Sequence, residues 1–266
     1  MRQSWPIMPN LGHLSYSSLS HYLLCGHSWR LHYLDKVPVP TAPALVVGSA
    51  FHDMAEAYIK TGDNLETLWQ ASFDKQLERN TAIAWGNVPD PEAAKMALCD
   101  DGLRMVKAKP VAAMQAAIRG NYDPETCCIE KRVELRVPGV PIPIIGYIDV
   151  ITKDGVPSDF KTAARMWSDG KADEELQPLF YLAALNQEGY EVPNGTFRHY
   201  VFTKTARPDA KMFEVSHQFA EIFWLFGMIQ AAWRGIEAGV FPMNPTGWKC
   251  SERYCDYWGM CRGKVA

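Results

Sequence analysis

The chain of 266 residues is 47% hydrophobic and 21% charged, and its 27 Lys+Arg against 30 Asp+Glu give a formal net charge of −3. That is the composition of an ordinary globular protein long enough to bury a full core, and the mild acidity argues against coating nucleic acid by bulk charge while leaving room for a local basic groove. No stretch reaches the roughly 18 unbroken apolar residues of a membrane-spanning helix, and MRQSWPIMPN lacks the basic and apolar regions of an export signal, which points to the cytoplasm.

From Ser15 or Ser17, either of which can cap a helix, SSLSHYLLCGHSWRLHYLDK reads as a helix broken near Cys25-Gly26 and ending before the loop VPVPTAP. Ser49 can cap the next helix, GSAFHDMAEAYIKTG, with Phe51, Met54, Ala55 and Tyr58 on its apolar side and His52 in its first turn. Helical stretches over 65–79 and 91–119 follow, separated by the turn-like WGNVPDP. Then CCIEKRVELRV, PIIGYIDVIT and VPSDFKT bring short Val/Ile-rich runs punctuated by Pro-Gly and Asp-Gly, which is strand and hairpin chemistry. Helical periodicity returns over 172–188, a strand is expected over 196–203, and 214–238 is apolar nearly all round, as a buried helix would be. Helices, a strand meander, a helix, a strand and more helix predict a mixed α/β sheet flanked by helices, in a single domain.

The hairpin carries the chemistry. Lys153-Asp154-Gly155 forms its turn, and Asp149 and Asp159 lie equidistant from Asp154, so an antiparallel fold sets them opposite each other. Side chains alternate along a strand, which puts Lys161 on the face of Asp159 and sends Phe160 into the opposite layer. Two adjacent carboxylates repel unless a proton or cation lies between them, and a hard ion such as Mg²⁺ or Mn²⁺ suits carboxylate oxygen. Lys161 could orient or deprotonate a metal-bound water, or offset transition-state charge. The plain alternative is an exposed hairpin whose charges Lys161 satisfies.

GYID followed by DFKT resembles the core signature of the PD-(D/E)XK nuclease superfamily, with Asp149 as its first acid and Asp159-Phe160-Lys161 as its (D/E)-x-K element. GSAFH is similar to the G-x-x-x-H motif of the RecB-like exonuclease branch, and Gln177 to Tyr181 is similar to its Q-x-x-x-Y motif. The resemblance implies a restriction-endonuclease-like fold, a metal-dependent DNA exonuclease, His52 as a metal ligand beside Asp149 and Asp159, and Gln177 and Tyr181 organising the site or the DNA strand. It implies a role in recombination, repair or phage DNA metabolism. A CRISPR spacer-processing nuclease with an obligate protein partner, a homo-oligomer, and a catalytically silent DNA-binding module stay open. An upstream acid is common in the family, and the sequence does not choose between Glu130 and Glu134. Lys153, Arg165 and Lys171 are candidates to hold phosphates.

Three of the seven cysteines, Cys250, Cys255 and Cys261, crowd the C-terminus, and Cys25 is the best fourth thiolate. This split set resembles the iron–sulfur staple of RecB-like, AddB-type and CRISPR adaptation nucleases, which implies a [4Fe–4S] cluster joining a helical part over 15–120 to a C-terminal part over 245–262, around core strands and motifs over 127–203. Zinc also binds four thiolates, but the wide loops between these cysteines favour the larger cluster. Trp248, Tyr254, Tyr257 and Trp258 are expected to shield it, or else to stack on bases. Cys99, Cys127 and Cys128 are assigned nothing.

Overall fold

The structure, a computed structural model, describes residues 11–262. The decapeptide on which the expectation about export rests lies outside them. Among the described residues no helix is long and apolar enough to cross a membrane.

The N-terminal helical part comprises β1 (Leu14–Ser15), α1 (Tyr16–Leu24), α2 (Gly26–Tyr33), α3 (Pro43–Thr61), α4 (Leu65–Arg79), α5 (Pro91–Lys107) and α6 (Lys109–Gly120). Ser15 caps α1 by accepting from the Ser18 amide, and Cys25 separates α1 from α2 in extended backbone, where the break was expected. The third helix departs from expectation. It starts at Pro43, whose fixed φ suits a first helical turn, so Ser49 is internal and His52 sits mid-helix. The stretch 91–119 is two helices, interrupted at extended Ala108 just before Lys109-Pro110.

The remaining elements are β2 (Cys128–Leu135), β3 (Ile144–Ile151), β4 (Pro157–Ala163), α7 (Gln177–Gln187), β5 (Thr196–Thr203), β6 (Ala210–Ser216), α8 (Glu221–Glu237) and α9 (Trp258–Cys261). The helix expected from 172 begins only at Gln177, after turns around Gly170 at φ 83°. The run expected as one buried helix over 214–238 divides into the end of β6 and α8, whose Phe223 and Trp224 are exposed, as is Phe219 just before it. Alternation in β6, with Phe213 and Val215 in and Met212 and Glu214 out, was the overlooked strand signal.

The six-stranded sheet runs β1-β3-β4-β5-β6, with β2 also paired to β3. It is mixed: β2, β4 and β6 pair antiparallel with their neighbours β3, β3 and β5, whereas β1–β3 and β4–β5 are parallel. Helices α1, α2, α7 and α8 cover one apolar cluster, and α3 to α6 cover another built on Phe51, Trp69 and Phe160. This is the helix-flanked mixed α/β sheet that the element order predicts.

Candidate active site

The hairpin keeps its expected register, with Val150 opposite Ser158 and Ile151 opposite Pro157, but only these two pairs form. Beyond them β4 swings away to pair in parallel with β5 from Ser158 to Ala163, while β1 covers β3 only at Ile144 and Ile145. The edge of β3 between these contacts is therefore split open. Side chains close it: Tyr181 Oη donates to the Tyr147 carbonyl at 2.7 Å, and the Phe160 amide donates to Asp149 Oδ2 at 2.5 Å. A buried backbone group needs such a partner, so the split is satisfied by the residues that the motifs single out.

Into this split each layer sends one group. From α3, His52 Nδ1 contacts Asp149 Oδ1 at 3.2 Å. Burial would lower the His52 pKa, but the Asp149 carboxylate and its hydrogen bond outweigh that and raise it to about 9, so an imidazolium donates here. On the other face, Lys161 Nζ lies 2.8 Å from Asp159 Oδ2 and 2.6 Å from Gln177 Oε1. Gln177 Nε2 in turn donates to Asp159 Oδ1 at 2.9 Å and to Tyr181 Oη at 3.1 Å. Burial would raise the Asp159 pKa, yet the Lys161 ammonium beside it holds the carboxyl well below the usual range. Phe160 packs into the α3 cluster, as alternation requires. His52, Asp149, Asp159, Lys161, Gln177 and Tyr181 thus meet in one place.

Two further residues belong to this site. Glu130 lies across from Asp149, at a point where the β2–β3 pairing skips one step, and it adopts φ 52°, a left-handed conformation that costs a non-glycine residue free energy. The sheet's facing changes there: Ile148 joins one apolar cluster and Val150 the other, although simple alternation would put both on one side. Glu130 is open to solvent on one side. Even so, the walls of the cleft and then the charge of Asp149 push its carboxyl up to about 7. Glu134, the other upstream candidate, pairs with Arg132 and Arg136 instead. The second residue, His199, is buried beside Asp159 on β5, and no sequence motif marks it.

A cleft of about 460 Å³ opens over the split, walled by Leu45, His52, Asp53 and Glu56 on α3 and by Glu130, Tyr147 and Asp149 on the sheet. The donors suit a divalent cation in kind, being carboxylate oxygens and an imidazole, and buried Asp159 Oδ2 has the Lys161 ammonium 2.8 Å away as its ion-pair partner but no hydrogen bond of good geometry. As they stand, no three His, Cys, Asp or Glu among the described residues form a group that could hold a metal ion. Asp149 is turned to His52 and Phe160, and Asp159 to Lys161.

The phosphate candidates fare less well. Lys171 pairs with Glu175 and Glu174, Lys153 donates to the Gly120 carbonyl behind the hairpin turn, and Arg165 is exposed in the loop after β4.

The four singled-out cysteines, Cys25, Cys250, Cys255 and Cys261, line one cavity of about 180 Å³ together with Tyr257 and Trp258. None of them forms a disulfide among the described residues. Burial and then the neighbouring Cys25, Cys250 and Cys255 raise the Cys261 pKa. Tyr257 is buried there, but Trp248 and Tyr254 meet edge to face and do not line the cavity.

The chain belongs to the PD-(D/E)XK nuclease superfamily, which it matches over residues 13–262. Among solved structures, a "Putative exonuclease" from Eubacterium rectale covers 89% of this chain with 86% of its own length, at 13% identity and a TM-score of 0.59, which supports the fold. The structure of SSO0001 aligns over 94% of this chain and 96% of its own at 14% identity, with a TM-score of 0.33 that carries no argument. No curated protein matches the sequence.

Proposed function

We propose that this protein is a Mg²⁺- or Mn²⁺-dependent deoxyribonuclease of the RecB-like kind, acting as an exonuclease in recombination, repair or phage DNA metabolism. The observation that carries the reading is the split sheet edge, where His52, Asp149, Asp159, Lys161, Gln177 and Tyr181 gather around one opening. A bound divalent cation would supply a water of lowered pKa and a Lewis acid for a phosphate oxygen, with His52, Asp149 and Asp159 as its ligands. The chain's own residues do the rest. Gln177 bridges Asp159, Lys161 and Tyr181, so it fixes the ammonium relative to the carboxylate. Lys161 is held protonated: burial opposes this, but the Asp159 and Asp149 carboxylates raise its pKa. In that form it would orient a nucleophile or offset charge on the phosphate.

The cavity of four cysteines is read as the seat of a [4Fe–4S] cluster, structural and separate from the hydrolytic metal. Zinc is the weaker reading, because the wide loops between Cys250, Cys255 and Cys261 suit a larger group than one small ion.

The test is hydrolysis of end-labelled single- and double-stranded DNA with Mn²⁺. Wild-type protein should shorten the strands, and Asp149→Ala and Lys161→Ala should each reduce the rate by at least about a thousandfold. Retained cleavage in both variants would place the chemistry elsewhere.

A further inference from the structure

Two large apolar side chains stand exposed where the active-site cleft should be polar. Tyr147 is 52% exposed and Leu45 is 64% exposed, and both line the cleft whose floor is His52 and Asp149. Single exposed apolar residues are common on any surface. These two differ in sharing one opening over the reacting groups.

Position makes Tyr147 unusual. On β3 it precedes Asp149 by two residues and its carbonyl is the acceptor for Tyr181, so its backbone is fixed while its ring stands free. It also lines a second groove of about 290 Å³ formed by His13, Ser15, Tyr16, Ser17, Gln177 and Tyr181. Tyr147 is therefore the residue shared by two grooves, one reaching Asp149 and the other Gln177 and Tyr181. Leu45 heads a face of α3 that continues through Ser49, His52, Asp53 and Glu56, about 16 Å of helix at the ordinary rise.

Charge limits what can lie here. The cleft holds Asp53, Glu56, Glu130 and Asp149, while Lys161 is engaged by Asp159, Lys75 by Asp53 and Lys60 by Glu56. A ligand with many phosphates would meet repulsion from these walls. At the Leu45 end, Lys204 contacts only the Ala44 carbonyl and has no carboxylate within ion-pair distance among the described residues, which leaves one cation for one phosphate. Aromatic faces stack on bases, and a base offers its face only when it is unpaired and unstacked.

We propose that Tyr147 and Leu45 hold an unpaired base over the acidic cleft, so that the substrate engaged at this site is the end of a single DNA strand. This rests on the nuclease reading above and adds to it the state of the strand and the residues that select it.

The experiment uses the full chain with Ca²⁺ and an oligonucleotide carrying a fluorescent base analogue near its end. It is presented as a single strand, annealed to its complement, and as a single strand with abasic terminal positions. Tyr147→Ala should weaken single-strand binding roughly 5- to 100-fold, the range of one lost stacking contact, and Leu45→Ala less. Tyr147→Phe, which keeps the ring, should restore binding. Wild type and Tyr147→Ala should bind the abasic strand equally weakly, and duplex binding should not respond to the substitution. Equal losses on normal and abasic strands, an unchanged affinity in Tyr147→Ala with its fold intact by thermal melting, or wild-type affinity for blunt duplex equal to that for the single strand would each overturn the proposal. A clamp that behaves as stated in a protein that cuts nothing with Mn²⁺ would instead count against the nuclease reading alone.

Discussion

His199 is fully buried, and neither ring nitrogen has a hydrogen-bond partner. Its Nδ1 lies 3.9 Å from Asp159 Oδ2, an electrostatic contact too long for a hydrogen bond, while the rings of Trp167 and Phe197 confine it at 5.1 Å each. An unpartnered buried imidazole costs stability, so a group kept at that cost beside Asp159, a proposed metal ligand, is best explained by what it does to that carboxylate. His199→Leu should hold or raise the melting temperature, because an unsatisfied polar group is removed. It should also weaken Mn²⁺ binding about tenfold, read by calorimetry on the DNA-free protein. A loss of stability with unchanged metal affinity would make His199 a packing residue only. His199 was not legible in the sequence, and Glu130 was named there only as one of two candidates beside Glu134, for different reasons. His199 reaches Asp159 through a parallel β4–β5 pairing that no local turn announces. Glu130 faces the site because of a positive φ that nothing in CCIEKRVELRV signals. The hairpin turn made the register legible at Val150–Ser158 and Ile151–Pro157, but the expected pairing of Asp149 with Asp159 does not form, because β4 leaves β3 for β5 at that point.

At the scale of elements, the short hairpin and its split are held by two contacts that can be varied separately. Gly146 of β3 faces α7 so closely that an added Cβ would lie 2.5 Å from Tyr181 Cε1 and 3.0 Å from Phe180 Cε1. Gly146→Ala should therefore displace α7, cost about 1–3 kcal/mol in urea unfolding, and lower kcat by loosening the Tyr181 bond to the Tyr147 carbonyl. An unchanged unfolding midpoint would show that α7 can give way freely. The hairpin turn is tied elsewhere: Asp154 accepts from Thr152 Oγ1 at 2.7 Å and from Arg198 Nη1 at 2.6 Å, and Arg198 also bonds Glu214 at 2.9 Å. Burial would raise the Asp154 pKa, but these donors outweigh it and lower the value. A carboxyl depressed on folding contributes stability above its unfolded pKa of about 3.9 and loses it as pH falls through the folded value. Asp154→Asn should thus flatten the acid limb of stability below the unfolded carboxylate pKa of about 3.9 and lower stability at neutral pH; an acid limb as steep as wild type would assign it to other carboxylates. Elements whose signals are local, such as the Asn64-capped α4 and the strand 196–203, were read correctly. The start of α3 was misread because a serine cap inside a helix looks the same as one at its end, and only the packing of Val46 and Val47 extends the helix back to Pro43.

Across the whole molecule, the two ends of the chain are joined by contacts that do not involve the cysteines. Tyr22 Oη donates to the Val240 carbonyl at 2.7 Å, Asn244 Nδ2 to the Leu24 carbonyl at 3.0 Å, and Tyr257 Oη meets His32 at 3.0 Å and the Val37 carbonyl at 3.3 Å. Trp29 stacks on Phe241 with centroids 5.8 Å apart. Cys25 can meet the late cysteines because extended backbone interrupts α1 and α2 at that residue, while Gly26 fits tightly under Pro242. A metal centre in this cavity would add a closure to an interface that packing already forms, and its binding free energy would count toward folding. Cys25→Ala should then abolish the visible absorbance of protein purified without oxygen and lower the melting temperature on the order of 10 °C, as a loss of about 3 kcal/mol would. The active site lies on a different part of the fold, between α3, β3 and α7, so the variant should still cleave below its lowered melting point. Unchanged colour in Cys25→Ala would remove Cys25 from the ligand set. Loss of all cleavage at a temperature where the variant remains folded would mean that the centre reaches the hydrolytic site, contrary to a purely structural role.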